Sequence, residues 1–185
     1  MPARLDRLDR DHVQLLVVDI QEKLLPHIHE HAQMLAQAER MIRAAVVLDV
    51  PITVSEQYPK GLGSTNPAIV DAAAGATRLA KMSFSFCGEA ACRSRLASVL
   101  RPQVLLVGIE THVCVQQTAL DLLGMQMQPV VLADAVGSRR PLDCQIALDY
   151  LRAAGAIVTT VEAVIFQLVR ESSGELFRRI LPIVR

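Results

Sequence analysis

Three residues of different chemistry, Asp19, Lys81 and Cys114, each stand at the end of an apolar segment or just beyond it. A thiolate is a strong nucleophile, a carboxylate can accept and return a proton, and an ammonium group stabilises negative charge. Cys114 lies at the start of a segment with helical spacing of apolar residues, where the positive helix end would lower the pKa of its thiol. Backbone amides before Cys114 could donate to an oxyanion. The three types together are those that nucleophilic catalysis by Cys114 would require.

Each of these residues also has an ordinary structural interpretation. A cysteine in an apolar segment is often a small core residue, an aspartate after a strand often caps or turns the chain, and a lone lysine is often solvated. What favours the chemical interpretation is their common location at the edge of one predicted sheet, so the elements that position them decide between the two.

Apolar segments alternate with amphipathic ones along the chain, which predicts a doubly wound α/β fold. We expect a Rossmann-like, six-stranded parallel sheet of order 3-2-1-4-5-6 in a single domain that spans residues 1–185. The predicted strands are Gln14–Val18, Pro51–Val54, Thr77–Leu79, Gln103–Val107, Pro129–Leu132 and Ala156–Thr159. The predicted helices are His31–Leu48, Glu89–Leu100, Thr111–Leu123, Pro141–Ala154 and a terminal helical segment.

In this order the first and fourth strands are neighbours where the order reverses, which is where ligands bind. Asp19 and Cys114 would then flank the crevice, and Lys81 would reach in from farther out. The loop at residues 55–67 is the longest predicted irregular segment. It could cover the site or be a surface excursion without a role.

Composition excludes several function classes. The 19 basic and 19 acidic residues balance, so no nucleic-acid footprint is visible, and no apolar segment is long enough to span a membrane. No signal-peptide pattern precedes the first strand, and the four cysteines show no zinc or disulfide spacing. We therefore expect a cytoplasmic protein with reduced thiols, whose partner is a small-molecule substrate or another protein.

Two segments resemble the isochorismatase-like cysteine hydrolases. "LLVVDIQEKL" is similar to the family's opening Asp-x-Gln element, and "GIETHVCVQQTALDLL" is similar to its Gly-x-x-Thr-x-x-Cys-Val segment. "VVLADAVGSR" resembles a later Asp-Ala-x-x-Ser-Arg element. Together the matches extend from about residue 14 to residue 165.

The resemblance implies an Asp-Lys-Cys triad on Asp19, Lys81 and Cys114, with the amides of Glu110 and Cys114 as the oxyanion hole. It also implies a cis peptide bond at Ile109–Glu110 and homo-oligomers. Members of the family hydrolyse amides, N-carbamoyl compounds or ureides through a thioester, whereas true isochorismatases cleave a vinyl ether.

Departures from the family narrow this interpretation. Nicotinamidases carry a metal site built on Asp-x-His after the second strand, and this chain has "VSEQYPKGLGS" there. We therefore expect neither a metal nor another cofactor. Together with "KMSFSFCG", this segment looks most like the isochorismatase domain-containing subgroup.

Four further residues are candidates for binding substrate, namely Gln21 of the Asp-x-Gln element and the aromatic residues Tyr58, Phe84 and Phe86. Phe84 and Phe86 could instead pack beneath a helix. His112 either touches substrate or fills the first helical turn.

Three functions remain open at this point. The first is a metal-independent cysteine hydrolase acting on a small amide, ureide or related C–N bond. The second is a non-catalytic family member that acts as a binding protein or as an oligomeric interaction protein. The third is a vinyl-ether hydrolase that works without a covalent step.

Overall fold

Six mostly apolar segments form the strands of one sheet, and amphipathic segments between them form helices that cover it. The computed structural model describes residues 7–185, so the predicted domain start at residue 1 lies outside the described residues. The strands are β1 (Val13–Val18), β2 (Ile52–Gln57), β3 (Thr77–Lys81), β4 (Gln103–Ile109), β5 (Gln128–Gly137) and β6 (Ile157–Thr159). The helices are α1 (His31–Val47), α2 (Pro59–Leu62), α3 (Pro67–Ala72), α4 (Ala90–Val99), α5 (Gln116–Gly124), α6 (Pro141–Ala154), α7 (Val161–Val169) and α8 (Gly174–Val184).

The sheet is parallel throughout and has the order β3-β2-β1-β4-β5-β6, which confirms the predicted topology. At the reversal between β1 and β4, Val18 lies opposite Gly108. Farther out, Gln57 at the end of β2 lies opposite Lys81 at the end of β3. The carboxyl ends of these four strands therefore meet along one edge of the sheet.

Helices on both faces bury the sheet in two apolar cores. Alternate side chains of β1 point to opposite faces, so Leu15 and Val17 lie in one core while Leu16 and Val18 lie in the other. The first core is completed by α1, α7 and α8, and the second by α4, α5 and α6. Coverage on both faces explains why the central strands are continuously apolar.

Four strands run farther than the apolar pattern predicts, and β4 does so by only two residues, to Ile109. β2 continues to Gln57 and β3 to Lys81, although their last residues are polar, because those side chains are buried and hydrogen-bonded. β5 continues to Gly137 after an irregularity in its register with β4. The predicted irregular loop at 55–67 is consequently shorter, and it contains the single-turn helix α2.

The segment that carries Cys114 also differs from the predicted helix. A π-helical turn, Thr111–Val115, comes first, and α5 continues from it. None of the helices within residues 7–185 combines the length and the apolar character that crossing a membrane requires.

Candidate active site

A buried ion pair joins the carboxyl ends of β1 and β3. The Nζ atom of Lys81 lies 2.7 Å from Oδ2 of Asp19, and neither side chain is exposed to solvent. Because β2 separates the two strands and neighbouring strands are about 4.8 Å apart, only a long side chain can span the gap. Asp19 itself has a left-handed backbone (φ 51°), a conformation that aspartate tolerates better than most residues.

The ammonium group of Lys81 has four oxygen neighbours. Besides Asp19, it donates to Oε1 of Gln57 at 2.8 Å and to the carbonyl oxygens of Phe84 at 2.9 Å and Ser83 at 3.3 Å. A buried charge is costly unless it is paired and hydrogen-bonded. This set of acceptors holds the ammonium group in one place next to the carboxylate.

Ser55 and Gln57 are contacts that the sequence analysis missed. The hydroxyl of Ser55 donates to Oδ1 of Asp19 at 2.6 Å, so both carboxylate oxygens of Asp19 are bonded. Ser55 and Gln57 are two positions apart on β2 and therefore share one face. A polar residue repeated at this spacing at the carboxyl end of a buried strand is the signal that could have identified them.

Cys114 lies beside this ion pair and is only 5% exposed. Burial, followed by the negative charge of Asp19, raises the pKa of its thiol to about 12, and the nearby charge of Lys81 only partly opposes this. The expectation that the helix end lowers the pKa of this thiol is therefore wrong. Desolvation and a neighbouring carboxylate outweigh the helix dipole here. At neutral pH the sulfur keeps its proton, and Asp19 is a neighbouring carboxylate that can take it.

The segment before Cys114 contains the backbone feature that the resemblance implies. The Ile109–Glu110 peptide bond is cis. The carbonyl oxygen of Glu110 accepts from the amides of Val113 and Val115 at 3.1 and 3.2 Å. The assignment of the Glu110 and Cys114 amides to an oxyanion hole stays a prediction.

The predicted substrate-binding residues have different surroundings. The side chain of Gln21 donates to the backbone carbonyls of Gln57 and Gly63 and accepts from the amide of Gln57, so it ties the loop after β1 to the end of β2. Phe86 is completely buried in the core beneath α4 and α5. That location matches the alternative in which it packs beneath a helix.

Tyr58 and Phe84 are the two aromatic candidates with exposed rings. They are 47% and 54% exposed, and each belongs to a loop next to the ion pair. The ring of Tyr58 lies over Gly61, where a Cβ atom would be 2.2 Å from Cε1 of the tyrosine. Both residues stay candidates for the entrance to the site.

A cavity of about 420 Å³ lies between α1, α6 and the end of β5. Strand β4 separates β5 from β1, which carries Asp19 of the ion pair at its end. The walls of the cavity include Gln33, Ser138 and Cys144 but none of Asp19, Lys81 and Cys114. Within residues 7–185, no three His, Cys, Asp or Glu side chains are grouped closely enough to hold a metal ion.

Known proteins resemble this chain in both sequence and fold. The family model "Isochorismatase domain" matches residues 13–163. Isochorismatase domain-containing protein 2A of Mus musculus is 41% identical over 187 aligned residues, which cover 99% of this chain and 87% of the mouse protein. A structure named MAR1 ribonuclease from Caenorhabditis elegans superposes with a TM-score of 0.91 at 37% identity, covering 96% of this chain and 92% of that one.

A fourth similarity concerns the fold alone. YcaC of Escherichia coli, described as an octameric hydrolase of unknown specificity, superposes with a TM-score of 0.89 at 22% identity and covers 97% of this chain and 93% of that one. The family model spans most of this chain, and the mouse relative matches nearly all of it. The chain therefore belongs to the isochorismatase family, as the motifs around Asp19 and Cys114 predict, and has that family's hydrolase fold.

Proposed function

We propose that this protein is a metal-independent cysteine hydrolase that cleaves the C–N bond of a small amide, ureide or related compound through a thioester. The observation that supports this most strongly is the buried pair of Asp19 and Lys81 beside the thiol of Cys114. A nucleophile, a proton acceptor and a fixed cation are the groups that such a reaction needs.

In the proposed first step, the sulfur of Cys114 bonds to the acyl carbon while its proton moves to the carboxylate of Asp19. The amides of Glu110 and Cys114 would donate to the resulting oxyanion. When the C–N bond breaks, Asp19 returns the proton to the leaving nitrogen. Lys81 holds Asp19 in position and offsets the negative charge that accumulates between the two residues.

In the second step, water attacks the thioester and Asp19 takes a proton from that water. Breaking the C–S bond releases the carboxylic acid, and the proton on Asp19 restores the thiol of Cys114. No metal, cofactor or redox change enters this sequence. The proposed partner is a small-molecule substrate rather than a nucleic acid or a membrane.

The alternatives differ in what they require of Cys114. A non-catalytic binding protein is favoured by one observation, which is that the thiol is largely covered and protonated at neutral pH. A vinyl-ether hydrolase would use the same cleft without a thioester. One relative is named a ribonuclease, but the balanced charge and the absence of tryptophan in this chain do not favour binding to RNA.

A screen of small amides and ureides, with ammonia or amine release as the signal, tests this function. We expect Cys114→Ala and Asp19→Asn to reduce turnover by at least about a thousandfold, because each removes a group that takes part in bond making. Cys87→Ala is the matched control, since it removes a buried thiol whose charged neighbours are Asp121 and Arg93 rather than Asp19 and Lys81, and should keep full turnover.

Mass spectrometry of the intact protein during turnover should detect an acyl group on Cys114. Full turnover in Cys114→Ala would refute the cysteine mechanism. Turnover that depends on Asp19 but shows no acyl-enzyme would instead support the vinyl-ether type of reaction. Ligand binding that survives Cys114→Ala, with no turnover on any compound, would support the binding protein.

We also infer that the protein forms a homo-oligomer. The outer face of α6 exposes Leu142, Ile146 and Tyr150 by 69%, 60% and 51%. Residues four apart lie on one side of a helix, so these side chains form one apolar stripe. YcaC, which shares the fold, is described as octameric. A cytoplasmic location stays a prediction.

A further inference from the structure

The carboxylate of Glu110 is buried within the segment that leads to Cys114. Its side chain is only 7% exposed, and Oε2 accepts two hydrogen bonds from Arg139, one from the backbone amide and one from Nε, each at 3.0 Å. A buried carboxylate that loses its partner is strongly unfavourable. The loop between β5 and α6 therefore fixes the side chain of Glu110.

Two adjacent contacts join the same parts of the chain. Nδ1 of His112 lies 2.9 Å from the hydroxyl of Ser138, and the hydroxyl of Thr111 lies 3.4 Å from Sγ of Cys144. Together with Glu110, three successive residues before the nucleophile each contact the β5–α6 loop or the start of α6. The position of this backbone is consequently set from β5 and α6 as well as from β4.

The carboxylate of Glu110 creates an electrostatic conflict at this position. The proposed oxyanion would form next to the amide of Glu110, and the carboxylate carries a negative charge that opposes any oxyanion nearby. Arg139 reduces this conflict in two ways. Its charge offsets that of the carboxylate, and its paired hydrogen bonds fix the carboxylate in one direction.

We propose that Arg139 is a positioning residue for the oxyanion hole, acting through Glu110 rather than by contact with the substrate. This inference rests on the proposed function, because it assumes that negative charge develops at the Glu110 amide. Removing Arg139 should leave the exposure of the Cys114 thiol unchanged and should slow only those reactions in which an oxyanion forms.

Two alkylating reagents separate these effects without a known substrate. When acrylamide reacts, sulfur bonds to the terminal alkene carbon, negative charge develops on the carbonyl oxygen, and the proton ends on the α carbon. When iodoacetamide reacts, sulfur displaces iodide from a saturated carbon and no oxyanion is required. Rates at Cys114 are read from fragment ions of its tryptic peptide, because Arg139→Gln removes the cleavage site between Cys114 and Cys144 and leaves both on one peptide. The fragment ions still distinguish Cys114 from the other three cysteines.

We expect Arg139→Gln to slow acrylamide at Cys114 by about tenfold, less than the hundredfold or more that follows complete loss of an oxyanion donor. The iodoacetamide rate should change by less than about twofold. The double variant Glu110→Gln/Arg139→Gln should recover most of the acrylamide rate, since a neutral amide no longer opposes the oxyanion. Melting temperatures confirm that each variant is folded.

Three results would overturn the proposal: equal slowing by both reagents, no change with either, or no recovery in the double variant. The ratio of the acrylamide rate to the iodoacetamide rate at Cys114 is also measured in the urea-unfolded wild-type chain. If the folded protein gives the same ratio, the proposal is overturned, because the folded site would then provide no oxyanion hole. Failure of the proposed function is seen separately, as amide turnover that persists in Cys114→Ala.

Discussion

The negative charge of Asp19 has two opposite consequences for Cys114. It makes Asp19 able to accept a proton, and it also disfavours a thiolate beside it, so the pKa of the thiol is raised to about 12 by burial and by this charge. The thiol of Cys114 is therefore neutral at rest. It is expected to ionise only as its proton transfers to Asp19, which protects the cysteine from unselective alkylation.

The pH dependence of iodoacetamide labelling at Cys114 tests this arrangement. Only the thiolate reacts, so the wild-type rate should rise about tenfold per pH unit from pH 7 to pH 10 without a plateau. In Asp19→Asn the charge that raises the pKa is gone while Lys81 remains, so the rise should begin at lower pH. Labelling at neutral pH should then be faster even though turnover is lost.

Lys81→Gln is the counterpart of Asp19→Asn, because it should shift the pKa of Cys114 in the opposite direction. The charge of Lys81 lowers the pKa of Cys114, so removing it should move the labelling curve to higher pH. A wild-type plateau below pH 8 would contradict the raised pKa and restore the interpretation of a thiolate activated by the helix end.

The strand ends around the site show which elements could be predicted from the sequence. Continuous apolar segments mark β1 and β4, and alternation with helices orders the sheet, so Asp19, Lys81 and Cys114 could be placed at one edge. Ser55 and Gln57 lie beyond the point where the apolar pattern of their strand stops, so only their spacing of two positions marks them. Their burial depends on partners that are distant in sequence.

Other features of the site arise only from packing. The irregular register of β5 with β4 precedes Ser138 and Arg139, which contact the segment before Cys114, and no local sequence pattern marks it. The raised pKa of Cys114 likewise depends on how completely neighbouring elements exclude water. The local sequence marks the start of the helix at Cys114, which alone would lower the pKa of the thiol. It does not show the burial, which raises that pKa by more.

Gly108 allows strands β1 and β4 to approach each other closely. It has φ +121°, and a Cβ atom there would lie 2.0 Å from the carbonyl oxygen of Val18, directly before Asp19. Because both the conformation and the space exclude a side chain, Gly108→Ala should destabilise the protein by more than about 3 kcal/mol. Urea unfolding measured by circular dichroism gives this difference.

Gly124→Ala is the control for that substitution. Gly124 ends α5, and a Cβ atom there would have no neighbour within 4 Å. Alanine is the better helix former, so the control should be neutral or stabilising by up to about 1 kcal/mol. Equal stability of Gly108→Ala and Gly124→Ala would show that the close approach of β4 to β1 is not required.

At the scale of the whole molecule, the apolar stripe of Leu142, Ile146 and Tyr150 on α6 is not explained by the packing of one chain. Monomeric proteins rarely expose a large contiguous apolar patch, and such patches often form interfaces. Ile146 is at the centre of the three, so a two-fold axis near it would place the stripes of two chains against each other. High hydrophobic content alone could not predict this, since a sheet covered on both faces already uses many apolar residues.

Ile146→Asp should therefore reduce the molar mass in solution, because a charge at the centre of an apolar interface loses its hydration without gaining a partner. Size-exclusion chromatography with light scattering measures the mass over a range of concentrations. Val46→Asp is the control, since Val46 is 51% exposed on α1, away from the stripe. A monomeric wild-type protein would refute the oligomer, whereas dissociation by Val46→Asp but not by Ile146→Asp would place the interface on α1 instead of α6.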